Sequence, residues 1–130
     1  MFEIDPRSRK SIYEQVMDNL KDAIVMGQLP EGTKLPSVRE LSKSISVNPN
    51  TVQKAYRELE QQGYIYSKTG LGSFVCPRSE IRAEGPELAR AEEEMAEAFK
   101  TFLRLGMGFE ESERKALEIF EIIKKESDEK

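Results

Sequence analysis

The stretch from Ser46 to Gly63, SVNPNTVQKAYRELEQQG, limits what this chain can fold into more than any other. Val52, Ala55, Tyr56 and Leu59 recur at three- and four-residue spacing, which puts an apolar stripe on one side of a short helix. Asn50, Thr51, Gln53, Lys54 and Arg57 fall on the other side. Asn48 can accept a free backbone N–H at the helix start, Pro49 suits the first helical position, and Gly63 marks the stop. Amide, hydroxyl and cationic groups on an outward helix face have the chemistry that contacts base edges and phosphates in a major groove. The same pattern also describes an ordinary amphipathic helix with a solvated polar face, so the neighbouring segments decide between the two.

Upstream, Ser37 and Glu40 form a capping box, and Val38, Leu41 and Ile45 give a helix of about two turns its buried side. Ser46 and Val47 then turn the chain directly into the Asn48 helix, the tight joint of a helix-turn-helix. An earlier helix opens at Ser11 with the same device, Ser11 with Glu14, and Ile12, Val16, Leu20 and Ile24 repeat every fourth residue until Gly27. Gln28 to Pro36 holds two prolines and a glycine and reads as a loop. Phe2 and Ile4 alternate with charged residues before Pro6, which predicts a short strand and a turn over Met1 to Arg7. Downstream, Tyr64 to Ser67 and Ser73 to Cys76 are short β-prone runs separated by Lys68, Thr69, Gly70, Leu71 and Gly72, the pattern of a hairpin. A hairpin placed just after such a helix is a wing, and Lys68 with Thr69 at its tip would meet phosphates or a minor groove.

Charge follows the same division. Lys34 to Arg78 carries seven cations against three carboxylates, while the acidity of a chain with formal net charge −4 is concentrated after Pro77. An acidic average therefore leaves room for nucleic acid. The single cysteine, Cys76, excludes an internal disulfide, and the absence of histidine removes Ser–His and Cys–His catalysis. Glu92, Glu93 and Glu94 fan around a helix and read as solvated surface rather than acid and base catalysts. No metal site or cofactor is expected, and no leader or membrane-spanning run stands out, which predicts a cytoplasmic, non-enzymatic protein.

Pro77 to Gly85 reads as a hinge. Beyond it Leu88, Ala91, Met95, Ala98, Phe99, Phe102 and Leu105 form an approximate heptad seam that ends at Gly106 to Gly108. A second helix from about Glu110 carries a broad face of Ala116, Leu117, Ile119, Phe120, Ile122 and Ile123, and Ser127 to Lys130 is expected to fray. Two such helices cannot bury both apolar faces against each other, so the expectation is a dimerisation tail using Leu88, Met95, Phe99, Phe102, Leu117, Phe120 and Ile123. The predicted architecture is mainly α with a small β-wing: a winged helix-turn-helix domain over 1–76 and a two-helix dimerisation tail over 77–130.

From Ile12 to Val75 the chain resembles the winged helix-turn-helix domain of the GntR family of transcription regulators. The resemblance is carried by the G-x-L-P-x-G-x-x-L-P-S-x-R-E-L-S run, the V-x-x-x-T-V-x-x-A-Y helix and the G-x-G-x-F-V wing, in the family's order. The short tail looks like that of the YtrA-like subfamily and is too short for the effector domains of larger relatives. The resemblance implies DNA contacts from Arg39, from Asn48, Asn50, Thr51, Gln53 and Lys54, and from Thr69, Gly70 and Gly72; Lys43 and Lys68 are added here as phosphate partners by their charge. Pro49 and Gln53 stand where several members have arginine, so a guanine-reading arginine is not expected there; Gln and Asn favour adenine. The implied function is a homodimeric regulator, most simply a repressor, on a palindromic double-stranded operator. The competing readings are a winged-helix module that binds protein, which the retained cations disfavour, and an enzyme.

Overall fold

The computed structural model describes residues 2–81 and 85–128. The chain divides into two compact units, Met1–Arg82 and Ala83–Lys130.

In the first unit, helix α1 (Ile12–Val25) starts at the expected capping box, with the Ser11 hydroxyl accepting the Glu14 N–H at 3.1 Å. Helix α2 (Val38–Ile45) repeats it, Ser37 Oγ accepting the Glu40 N–H at 3.0 Å while the Glu40 carboxylate accepts the Ser37 N–H at 2.8 Å. Those two bonds satisfy donors that a helix start leaves orphaned, and the one from the Ser37 N–H holds the Glu40 carboxyl below its usual pKa. Helix α3 (Pro49–Gln61) is capped by Asn48, whose Oδ1 accepts the Asn50 N–H at 2.8 Å.

The joint between α2 and α3 is Ser46, a non-glycine residue with φ of +54°, followed by Val47, which is buried. Ser42, itself buried on α2, donates its hydroxyl to the Val47 carbonyl and so fixes the turn from inside. The core is formed by Val16 and Leu20 of α1, Val52 and Leu59 of α3, and Ile65 and Val75 of the hairpin. Burial of side chains of this size contributes roughly 1.5 to 3 kcal/mol each.

The hairpin pairs β1 (Ile65–Lys68) with β2 (Gly72–Val75), antiparallel, with Lys68 opposite Gly72. Each strand is displaced by one residue from its sequence expectation, and the loop shrinks to Thr69, Gly70 and Leu71. Gly70, at φ of +78°, supplies the left-handed position of a turn closed by the Leu71 N–H to the Lys68 carbonyl at 2.9 Å. The supposed loop from Gln28 to Pro36 also pairs: Lys34 bridges Phe74, the Leu35 N–H reaches the Ser73 carbonyl at 2.8 Å and the Val75 N–H the Thr33 carbonyl at 2.9 Å.

Two further expectations are corrected. The N-terminal segment is not a strand. Phe2 and Ile4 do pack on the core, but the backbone beside them is served by side-chain amides of α1: Gln15 bonds both the N–H and the C=O of Asp5, and Asn19 bonds the Glu3 carbonyl. Met1 lies outside the described residues. The segment expected as a hinge from Pro77 is, as far as Ile81, part of the first unit. A 3-10 turn (Arg78–Glu80) sits over Gly63, and the Arg78 guanidinium donates to the Val25 carbonyl at 3.1 Å. Residues 82–84 of that segment lie outside the described residues.

The second unit is a helical hairpin, α4 (Gly85–Arg104) and α5 (Phe109–Asp128). Gly106, at φ of +94°, turns the chain between them, with the Met107 N–H returning to the Phe102 carbonyl. Helix α5 continues through Ser127 to Asp128, where fraying was expected, and residues 129–130 lie outside the described residues.

Candidate nucleic-acid interface

Helix α3 presents two faces because its sequence has two periodicities. Val52, Ala55, Tyr56 and Leu59 are buried; Asn50, Gln53 and Arg57, at three- and four-residue spacing, are exposed on the opposite side. Tyr56 fixes the helix against what precedes α2, since its hydroxyl donates to the Pro36 carbonyl at 2.6 Å. Burial, with the nearby Glu40 carboxylate, pushes that hydroxyl's pKa well above its ordinary value, so it stays a donor.

The two carboxylates of α3 are turned away from the reading end. Glu58 accepts from Gln62 Nε2 at 2.9 Å and Glu60 accepts from the Ser67 hydroxyl at 2.8 Å. The first turn of α3 carries no acidic residue, which leaves the positive end of the helix dipole uncompensated.

Among the residues expected to contact nucleic acid, Asn48, Asn50 and Gln53 are exposed, and Asn48 Oδ1 is engaged as the cap. Thr51 is half-buried and lines a cleft with Ile4 and Pro6. Lys54 lies at the border of the face, its ammonium 4.7 Å from the Tyr13 ring centroid on α1. Arg39 and Lys43 are exposed on α2, which packs against α3.

At the wing, Tyr66 and Phe74 stack with centroids 5.6 Å apart, and the Lys68 ammonium rests over both rings, at 5.9 and 5.5 Å. Thr69, Gly70 and Gly72 are exposed at the tip. A Cβ on Gly72, at φ of +114°, would come within 3.0 Å of the Lys34 Cε, so the glycine is what lets that lysine stem cross the wing. Lys34 was legible only as a member of the cationic zone and reaches the wing through the pairing with Phe74; Arg57, placed on the outward face by its spacing, completes the Asn50–Gln53 stripe.

In the second unit, Leu88, Met95, Leu117, Phe120 and Ile123 are exposed. Phe99 and Phe102 are half-buried, with Phe99 packed on Phe102 and on Phe109 at centroid distances of 6.4 and 6.1 Å. Among the described residues no cluster of three or more His, Cys, Asp or Glu side chains could hold a metal, and no helix is long and apolar enough to cross a membrane.

Residues 12–75 match the family described as "Bacterial regulatory proteins, gntR family". The chain is 49% identical over 75 residues to "HTH-type transcriptional repressor YtrA" of Bacillus subtilis (strain 168), a match that spans 58% of either protein. It superposes with a TM-score of 0.67 on "GntR family transcriptional regulator from Listeria monocytogenes", at 32% identity, covering 88% of this chain and 98% of the other. The DNA-binding domain of AraR, solved in complex with operator ORX1, superposes with a TM-score of 0.52 at 32% identity, over 56% of this chain and 90% of that one. Architecture, motif and relatives agree: the chain belongs to the GntR family, as a YtrA-like transcription regulator with a DNA-binding helix-turn-helix, and not an enzyme.

Proposed function

We propose that this protein is a homodimeric repressor that reads a palindromic operator with α3 in the major groove. The observation that carries the reading is the stripe of Asn50, Gln53 and Arg57, exposed opposite the buried face of a helix whose carboxylates are engaged elsewhere. Asn50 and Gln53 supply paired donor and acceptor groups suited to adenine, and Arg57 a group suited to guanine or phosphate. Arg39 and Lys43 on α2 and Lys68 on the wing hold the flanking backbone. AraR's DNA-binding domain in complex with an operator supports operator binding, and the similarity to the repressor YtrA supports the direction of control.

Dimerisation is supported by the second unit. Its only fully buried described residue is Ser112, whose hydroxyl has no partner, while large apolar side chains stay exposed on both helices. A second copy covering Met95, Leu117, Phe120 and Ile123 would bury that surface, and a closed twofold pair sets two reading helices about one helical turn apart.

Selection of bound fragments from a random duplex library tests the function. The expected product is an inverted repeat whose binding weakens by orders of magnitude between low and moderate salt. Recovery of no preferred sequence, or salt-independent binding, would favour a winged-helix module that binds protein instead.

A further inference from the structure

The arm before α1 is tied to that helix by its own set of polar bonds. One buried amide holds both its ends: Gln15 Oε1 accepts the Asp5 N–H at 2.7 Å, and Gln15 Nε2 donates to the carbonyls of Asp5 and Lys10 at 2.9 and 3.0 Å. The Ser8 N–H closes back on the Asp5 carbonyl, the Arg7 N–H on the Asp5 carboxylate and the Lys10 N–H on the Ser8 hydroxyl. The loop is therefore ordered by polar bonds at successive positions, which a segment free to fray lacks.

Its position is beside the reading helix. Ile4 and Pro6 line the same cleft, about 370 Å³, as Asn48 and Thr51 at the start of α3. Arg7 follows Pro6 directly, so its Cα lies about 3.8 Å from the Cα of a residue that lines the cleft. The loop carries three cations, and only one is spent inside the fold: Lys10 pairs with Asp18 at 2.6 Å. Arg7 and Arg9 are exposed and have no ion pair among the described residues. The nearby carboxylates are occupied, Asp5 by the Arg7 N–H and Glu14 by the Ser11 cap.

We propose that Arg7 and Arg9 form a second phosphate-gripping edge of the DNA interface, contacting the backbone that flanks the groove entered by α3. This rests on the DNA-binding reading above. Two guanidiniums on an ordered loop next to the start of a groove-reading helix meet the strand running past it; phosphates are the groups there that match their charge and fork geometry. Contacts of this kind add affinity and register without sequence information.

The test compares the full chain with R7Q/R9Q and R7K/R9K on the selected duplex and on a scrambled one, following log K against log salt. Each lost phosphate contact flattens the slope by about 0.9, so R7Q/R9Q should flatten it by about 1.8 per bound chain, weaken both duplexes alike, and leave the melting temperature unchanged. R7K/R9K should restore most of the slope. An R7Q/R9Q slope equal to that of the wild type overturns the proposal while leaving DNA binding intact. A changed ranking of sequences also overturns it, because the arm would then read bases. If the wild-type chain itself binds no duplex with a salt-dependent slope, the DNA-binding reading fails and this proposal with it.

Discussion

Tyr56 joins the reading helix to the rest of the first unit twice, by its buried ring and by the 2.6 Å bond from its hydroxyl to the Pro36 carbonyl. Tyr56→Phe keeps the ring and removes the bond, so urea unfolding should register a loss of about 1 kcal/mol. No change would mean the bond is replaced by water at no cost. Gln53 and Arg39 separate on a different axis. Gln53→Ala should relax preference at one or two half-site positions by about 1 to 3 kcal/mol, whereas Arg39→Ala should weaken all duplexes similarly; equal losses everywhere for both would remove Gln53 from base reading. Cys76 is buried, and burial first, then the neighbouring Glu80 carboxylate, pushes its thiol from the ordinary 9.0 up to about 11. Because the raised value favours the protonated form, the thiolate fraction at pH 8 falls roughly a hundredfold. A thiol reagent should therefore label the folded protein slowly at pH 8 and quickly once urea unfolds it; fast labelling of the folded chain would contradict this environment.

At the scale of elements, glycine substitutions distinguish what each joint needs. A Cβ on Gly63, at φ of +84°, would lie 2.0 Å from the Glu80 carbonyl oxygen, so Gly63→Ala must displace the 3-10 turn that ends the first unit. Gly70 has a similar φ with open space around it, and Gly70→Ala should cost only the left-handed penalty of about 1 to 2 kcal/mol. Unfolding midpoints should rank Gly63→Ala well below Gly70→Ala, and a reversed order would contradict the close approach. The contrast also marks what a sequence can convey. Both capping boxes were legible because each is settled within four residues, and the buried stripe of α3 because a helix repeats locally. The pairing of Lys34 with Phe74 was not, since it joins segments about forty residues apart and leaves no periodic trace. Phe2 and Ile4 failed as a strand for a related reason: alternation reports which side chains face the core, but not that the backbone partners are the amides of Gln15 and Asn19. Lys54 sits at the edge of its helix face, where spacing alone leaves open its turn toward Tyr13.

For the whole molecule the question is what covers the second unit. Phe99 and Phe102 belong partly to the interior of their own hairpin, which makes Phe120, 57% exposed, the cleaner probe of association. Phe120→Glu leaves the winged unit untouched but would bury a carboxylate in a dimer, costing several kcal/mol of association. The variant should sediment as a monomer with an unchanged first unit, and operator affinity should fall by roughly a hundredfold or more because the second half-site contact becomes intermolecular. The most direct measurement is the mass of the protein–DNA complex at sedimentation equilibrium on the inverted repeat recovered by selection. Two chains per duplex for the wild type, with Phe120→Glu binding far more weakly and one chain at a time, is the predicted result. A single wild-type chain on the full repeat, or a Phe120→Glu variant that still loads as a pair with wild-type affinity, would contradict it.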